Sequence, residues 1–238
     1  MSSGCTLDAT DQRGPNRGRR SRGKTALGSG ERGPKLLEVY ADIWCPFAHV
    51  GLRAAVRERA RLGRDDVELV VRAWPLELVN GAPLDPQATA DHVADLRAQV
   101  APELFDGFDP TAFPTTTLPA LALASAAYGR DAAVGEAVSL ALRDALFEHG
   151  LDISDAGVLR DVALTYGIDP ASARHHATVL EEWRGGQKRG VKGSPHFFCG
   201  VAEAFCPSLD IERDAGGHLL MRRSSKELAS FLEGCLRS

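Results

Sequence analysis

Residues 36–43, Leu-Leu-Glu-Val-Tyr-Ala-Asp-Ile, make an apolar, partly β-branched run of strand length, which predicts a buried strand. Beyond Cys45 the composition turns to Ala, Arg and Glu through Arg61, with Pro46 in the first turn, where a missing N–H costs nothing, and Gly63 as a stop. Val67 to Ala73 reads as a second strand, parallel to the first if the crossover is right-handed. From 84 to 178 the period is helical. Helices are predicted over 88–100, 118–128 and 132–149, the last with Val134, Val138, Leu142 and Leu146 at i, i+4 steps and Gly150 as its stop. A short helix runs from Ser154 to Tyr166, and another ends near Gly185-Gly186, a turn signal like Gly216-Gly217. Strands return at Ser194 to Cys199 and, across a loop, at His218 to Arg222. Lys226 to Leu236 closes the chain as a helix with Leu228, Phe231, Leu232 and Cys235 on one face.

The order β-α-β, helices, then β-β-α fits an α/β, thioredoxin-like fold with an inserted all-helical domain. The thioredoxin-like part takes 36–83 and 179–238, the insert 84–178, and residues 1–35 form a disordered tail. Eight basic residues between Arg13 and Lys35 face only Asp8, Asp11 and Glu31, whereas the whole chain carries −4. The body is therefore acidic, which argues against nucleic acid as a partner, since phosphate neutralisation needs clustered Lys and Arg. Arg19-Arg20 resembles a twin-arginine export signal, but no apolar segment follows before Leu36, so the tail is expected to be neither signal nor anchor. No stretch reaches the roughly 18 apolar residues of a membrane-spanning helix. Five cysteines in 238 residues do not make a disulfide scaffold, and the expected compartment is cytoplasmic.

Asp42-Ile-Trp-Cys-Pro-Phe-Ala-His-Val-Gly51 resembles the Asp-x-x-Cys-Pro-Trp-Cys-Tyr-x-Gly segment of the DsbA family, above all its FrnE-like branch. Ala145 to Asp169 is similar to the stretch closing that family's helical insert. Val191-Lys-Gly-Ser-Pro195-His-Phe-Phe-Cys-Gly200 is similar to its Gly-Val-Pro-x-Phe segment, which carries a cis-proline. The resemblance implies thiol–disulfide chemistry at Cys45 with Pro195 beside the sulfur. This chain departs from the pattern at Ala48, where the second motif cysteine would stand.

A thiol is nucleophilic as thiolate, and a helix N-terminus favours negative charge, so the Cys45 pKa is expected below the free value of about 8.5. The alternative is a buried, inert cysteine. In a dithiol motif the second cysteine expels the product by closing an intramolecular disulfide, and Ala48 cannot. Cys199 stands four strand residues from Pro195, roughly 13 Å at about 3.3 Å per residue, beyond the about 7 Å between Cα atoms that a disulfide spans. Cys235 reads as a core position and Cys5 lies in the tail. One-thiol chemistry remains: a mixed disulfide with a protein or small thiol, resolved by a second low-molecular-weight thiol as co-substrate, so that the expected partners are protein disulfides or small thiol compounds, with no tightly bound cofactor and no metal.

Ser194, just before Pro195, would present its backbone to an extended substrate. Trp44, Pro46, Phe47, Ala48 and His196 are expected to wall the site together with Ser194. His49, four residues beyond Cys45, either favours the thiolate as imidazolium or serves packing. Cys199 and Cys206, a Cys-x6-Cys pair, are a possible second redox couple or two unrelated thiols. Two other functions stay open: a thiol-dependent isomerase or transferase resembling 2-hydroxychromene-2-carboxylate isomerase and glutathione S-transferase kappa, whose motif normally has serine at the Cys45 position, and a redox-inactive binding module. The sequence leaves the oligomeric state undetermined.

Overall fold

A computed structural model describes residues 35–214 and 219–237; the expectations for the tail before Lys35, and for Gly216-Gly217 and His218, lie outside them. Strand β1 (Lys35–Ala41) is followed by helix α1 (Pro46–Arg61) and strand β2 (Val67–Ala73). β1 and β2 pair in parallel from Lys35↔Val67 to Ala41↔Ala73. Gly63, at φ +62°, supplies the left-handed residue just beyond α1. Helices α2 (Leu76–Asn80), α3 (Pro86–Gln99), α4 (Leu118–Arg130), α5 (Ala132–Phe147), α6 (Ala156–Thr165) and α7 (Ala177–Arg189) come before the next strand. The N-caps of α3, α5 and α6 are Asp85, Asp131 and Asp155, each accepting backbone N–H groups of its own first turn.

Strands β3 (His196–Cys199) and β4 (Ala202–Phe205) complete a four-stranded sheet of order β2-β1-β3-β4, with β3 antiparallel to both neighbours. Strands β5 (Leu209–Arg213) and β6 (Leu219–Arg223) pair antiparallel as a separate ribbon before helix α8 (Ser225–Arg237). This is a DsbA-like thioredoxin fold with a helical insertion. The main core runs without a break from Ile43, Trp44, Val50 and Ala73 into Leu121, Leu123, Val138, Leu142 and Leu146 of the inserted helices. A second cluster joins β1, β2 and α1 to Leu228 and Leu232 of α8.

One expectation needs correction. Gly185-Gly186 does not end a helix: α7 continues to Arg189, and Gly190 in the left-handed region (φ +78°) follows it. The pair has a packing role. A Cβ on Gly186 would stand 2.7 Å from Trp74 Cζ3 and 2.9 Å from Tyr40 Cε1, so only glycine lets α7 lie on those rings. The strand predicted over 218–222 is present as β6, paired with β5 apart from the main sheet.

Candidate active site

The site forms where β1 ends, α1 starts and β3 begins. The Tyr40↔His196 pairing brings the chain after β1 beside Ser194 and Pro195. Cys45 is the N-cap of α1, with Pro46 as the first helical residue. The Ser194–Pro195 peptide is cis. Cys45 Sγ donates to the Ser194 carbonyl at 3.2 Å, and Ser194 Oγ accepts the backbone N–H of Asp42 at 2.9 Å. A Cβ on Gly51 would press to 3.2 Å on Pro195 Cγ, so the small residue in α1 gives the proline its seat.

Cys45 is 4% exposed. Burial pushes its thiol pKa up; the Ser194 side chain and the N–H groups of Ala48 and Phe47 pull the other way without prevailing, and the Asp42 carboxylate adds to the rise. The expected lowered pKa is thus overturned: desolvation of the charged form outweighs the helix start.

Behind the sulfur lies a buried polar pair that sequence reasoning did not assign. The Asp42 carboxyl accepts N–H bonds from Ile43 at 2.7 Å and Leu76 at 2.5 Å, and burial raises its pKa to about 6. Arg143, on α5 and 1% exposed, donates to the Asp42 carbonyl at 3.1 Å and to Ser139 O and Oγ at 2.7 Å each. Its burial lowers its pKa to about 10. Asp42 heads the motif and was a visible signal, whereas nothing in the α5 pattern marks Arg143 as buried.

A pocket of about 300 Å³ opens beside the site, lined among others by Phe47, His92, Ser194, Phe205, Cys206 and Leu219. Phe47 is half-buried and packs on His92, ring centroids 5.3 Å apart. Of the expected wall, Phe47 and Ser194 line this pocket, and buried Pro46 starts the helix. The others stand elsewhere. Trp44 is fully buried and stacks on Phe113 at 5.7 Å, because it points into the helical insert. Ala48 is fully buried in the α1–sheet core. His196 shares its sheet face with Phe198, 4.3 Å away, while Phe197 on the opposite face belongs to the cluster around α1; strand alternation carries the imidazole off the site.

His49 is also buried, held between Phe105 and Phe147, with Nε2 2.6 Å from Glu148 Oε1. Burial lowers its pKa, so it supplies no imidazolium to the thiolate. His49, Asp144 and Glu148 are the only metal-like cluster among the described residues, but His49 is bonded to Glu148 and Asp144 to Arg53.

Of the two readings of Cys199 and Cys206, the redox couple is overturned and the two cysteines are unrelated. Cys199 forms a disulfide with Cys235, Cα atoms 5.6 Å apart, because the last strand residue of β3 faces α8. Cys206 is a free, buried thiol.

The model of the DSBA-like thioredoxin domain matches residues 36–213. No curated protein matches the sequence. Among solved structures, a probable DsbA oxidoreductase from Streptomyces coelicolor superposes with a TM-score of 0.59 at 19% identity, covering 86% of this chain and 91% of the other. The cytosolic disulfide reductase DsbM from Pseudomonas aeruginosa gives 0.53 at 19% identity, over 85% and 98%. A 2-hydroxychromene-2-carboxylate isomerase gives 0.55 at 15% identity, over 71% and 88%. These likenesses share the fold, and the family match spans three quarters of the sequence: the chain belongs to the DSBA-like thioredoxin domain family.

Proposed function

We propose that the protein is a thiol–disulfide oxidoreductase whose nucleophile is Cys45, acting on protein disulfides or on small disulfides with a low-molecular-weight thiol as co-substrate. The carrying observation is the sulfur at the start of α1, 3.2 Å from the Ser194 carbonyl and close to a pocket that Ser194 and Phe47 line. Cys45 attacks a substrate disulfide, one substrate sulfur leaves as thiol, and the other stays bound to Cys45. Pro195 shapes the approach, and Ser194 offers backbone to the substrate chain. Such chemistry suits a cytoplasmic site of action, where small thiols abound, and the motif suits the FrnE-like branch. The test is glutathione-dependent reduction of a small mixed disulfide: activity in the parent and its loss in Cys45→Ser support the reading, and equal activity in both overturns it.

The burial of Cys45 favours a second reading, a redox-inactive binding module that uses the same pocket. It expects no covalent adduct on Cys45 and unchanged partner capture in Cys45→Ser. Retained binding of a small thiol by Cys45→Ser would point instead to isomerase or transferase chemistry.

A further inference from the structure

Ala48 removes the usual second thiol, yet another free cysteine stands at the site from the opposite side. Phe205 pairs with His196 in the β3–β4 ladder, so the next residue, Cys206, falls beside Pro195, and the Cys206 N–H donates to the Pro195 carbonyl at 3.0 Å. Cys45 meanwhile bonds the neighbouring carbonyl, that of Ser194. Two consecutive carbonyls thus hold the two thiol-bearing residues. Cys206 lies one residue beyond the ladder, in the left-handed region at φ +48°, and the backbone on either side of it packs on α1: a Cβ on Gly51 would touch both Pro195 Cγ and Ser208 Oγ, two residues past Cys206. Independently, Cys206 lines the pocket that Ser194 and Phe47 also line. Cys199 is unavailable, being bound to Cys235.

We propose that Cys206 is the resolving thiol of Cys45, taking from outside the motif the role that Ala48 cannot fill. This rests on the reading of Cys45 as nucleophile. In the first step Cys45 attacks R–S–S–R′, forming Cys45–S–S–R and releasing R′SH. In the second, Cys206 gives up its proton and attacks the Cys45 sulfur; RS⁻ leaves and takes a proton. The substrate disulfide has gained two electrons and two protons, and the protein holds a Cys45–Cys206 disulfide. Two molecules of a low-molecular-weight thiol return it to the dithiol and become their own disulfide.

A resolving thiol must wait until the mixed disulfide exists. Burial pushes the Cys206 pKa up to about 12, and the nearby Cys45 charge adds to the rise.

The experiment adds glutathione disulfide to the reduced full-length chain, quenches with acid, alkylates, and maps each cysteine by mass spectrometry. The proposal expects a Cys45–Cys206 link and little lasting glutathione on Cys45 in the parent. In Cys206→Ser and Cys206→Ala the Cys45–glutathione adduct should live about tenfold longer or more, because resolution becomes intermolecular. Two variants keep the test open should one fail to fold. Equal adduct lifetimes in parent and variants, with the parent's Cys206 alkylated throughout, overturn the proposal while leaving Cys45 as nucleophile. No adduct on Cys45 in any of them sinks the oxidoreductase reading itself.

Discussion

The Cys45 sulfur donates to the Ser194 carbonyl at 3.2 Å, a bond that exists only while the thiol keeps its proton. Ionisation therefore breaks a contact as well as placing charge in a buried position. Alkylation of Cys45 by iodoacetamide should be slow at pH 7 and keep rising through the alkaline range, later than for an exposed cysteine, in line with the burial-raised pKa. A rate that levels off below pH 7 would contradict the account.

Asp42 acts on the same sulfur. Its carboxylate disfavours the thiolate, so Asp42→Asn should move the Cys45 alkylation profile to lower pH. The carboxyl titrates at about 6 in the fold against an ordinary 3.8. Its contribution to stability is therefore full below pH 4 and lost as pH rises through 6. Chemical denaturation across pH 4–7 should show that loss in the parent and not in Asp42→Asn.

His49 has the opposite sign. Its burial lowers the pKa below the ordinary 6.5, so the neutral ring is the folded form. Stability should hold above pH 6.5 and fall as the solution is acidified below it. Glu148, Asp144 and Arg53 face the ring, and Glu148 recovers only part of the burial penalty. His49→Gln, which keeps a donor toward Glu148, should shrink the acid-side loss measured by urea unfolding.

Adjacent glycines in α7 should respond in opposite directions. Alanine gains about 1 kcal/mol over glycine in a helix interior. At Gly185, where a Cβ meets only Tyr40 Oη at 3.9 Å, that gain should appear as a higher Tm. At Gly186 the Cβ meets Trp74 and Tyr40 below 3.0 Å. Overpacking typically costs about 1–3 kcal/mol, so Gly186→Ala should lower the Tm.

The Cys199–Cys235 bond closes a long segment, with a sequence separation of 36. Loop-closure entropy for that length is worth about 3–4 kcal/mol. Cys235→Ser should lower unfolding free energy by about that much, and a reductant should have the same effect on the parent but none on the variant.

What the sequence made legible was local. β1, α1, β2 and α3 to α6 show themselves through period and punctuation, because Gly63, Gly150 and Gly167 take left-handed positions that side chains avoid. The resemblance carried Cys45 and Pro195 to one place. Strands β4 and β5 escaped notice because Ala202–Phe205 and Leu209–Arg213 are largely exposed and lack clean alternation. What remained hidden depends on distant packing: Gly186 against Trp74, Cys199 against Cys235, the Arg143 guanidinium under Asp42, and the inward turn of Trp44 and His49. The burial of Cys45, which reverses its expected acidity, belongs to the same group, since a helix start is written in the chain and a roof over it is not.

Arg143 reaches from α5 to the carbonyl three residues ahead of the sulfur. The inserted helices are thus one of the brackets on which the reactive turn is mounted. Trimming the protein to a minimal thioredoxin would remove that bracket together with the insert. Any breathing of α5 should loosen the grip on the turn first, and admit solvent to a sulfur that is otherwise shut away.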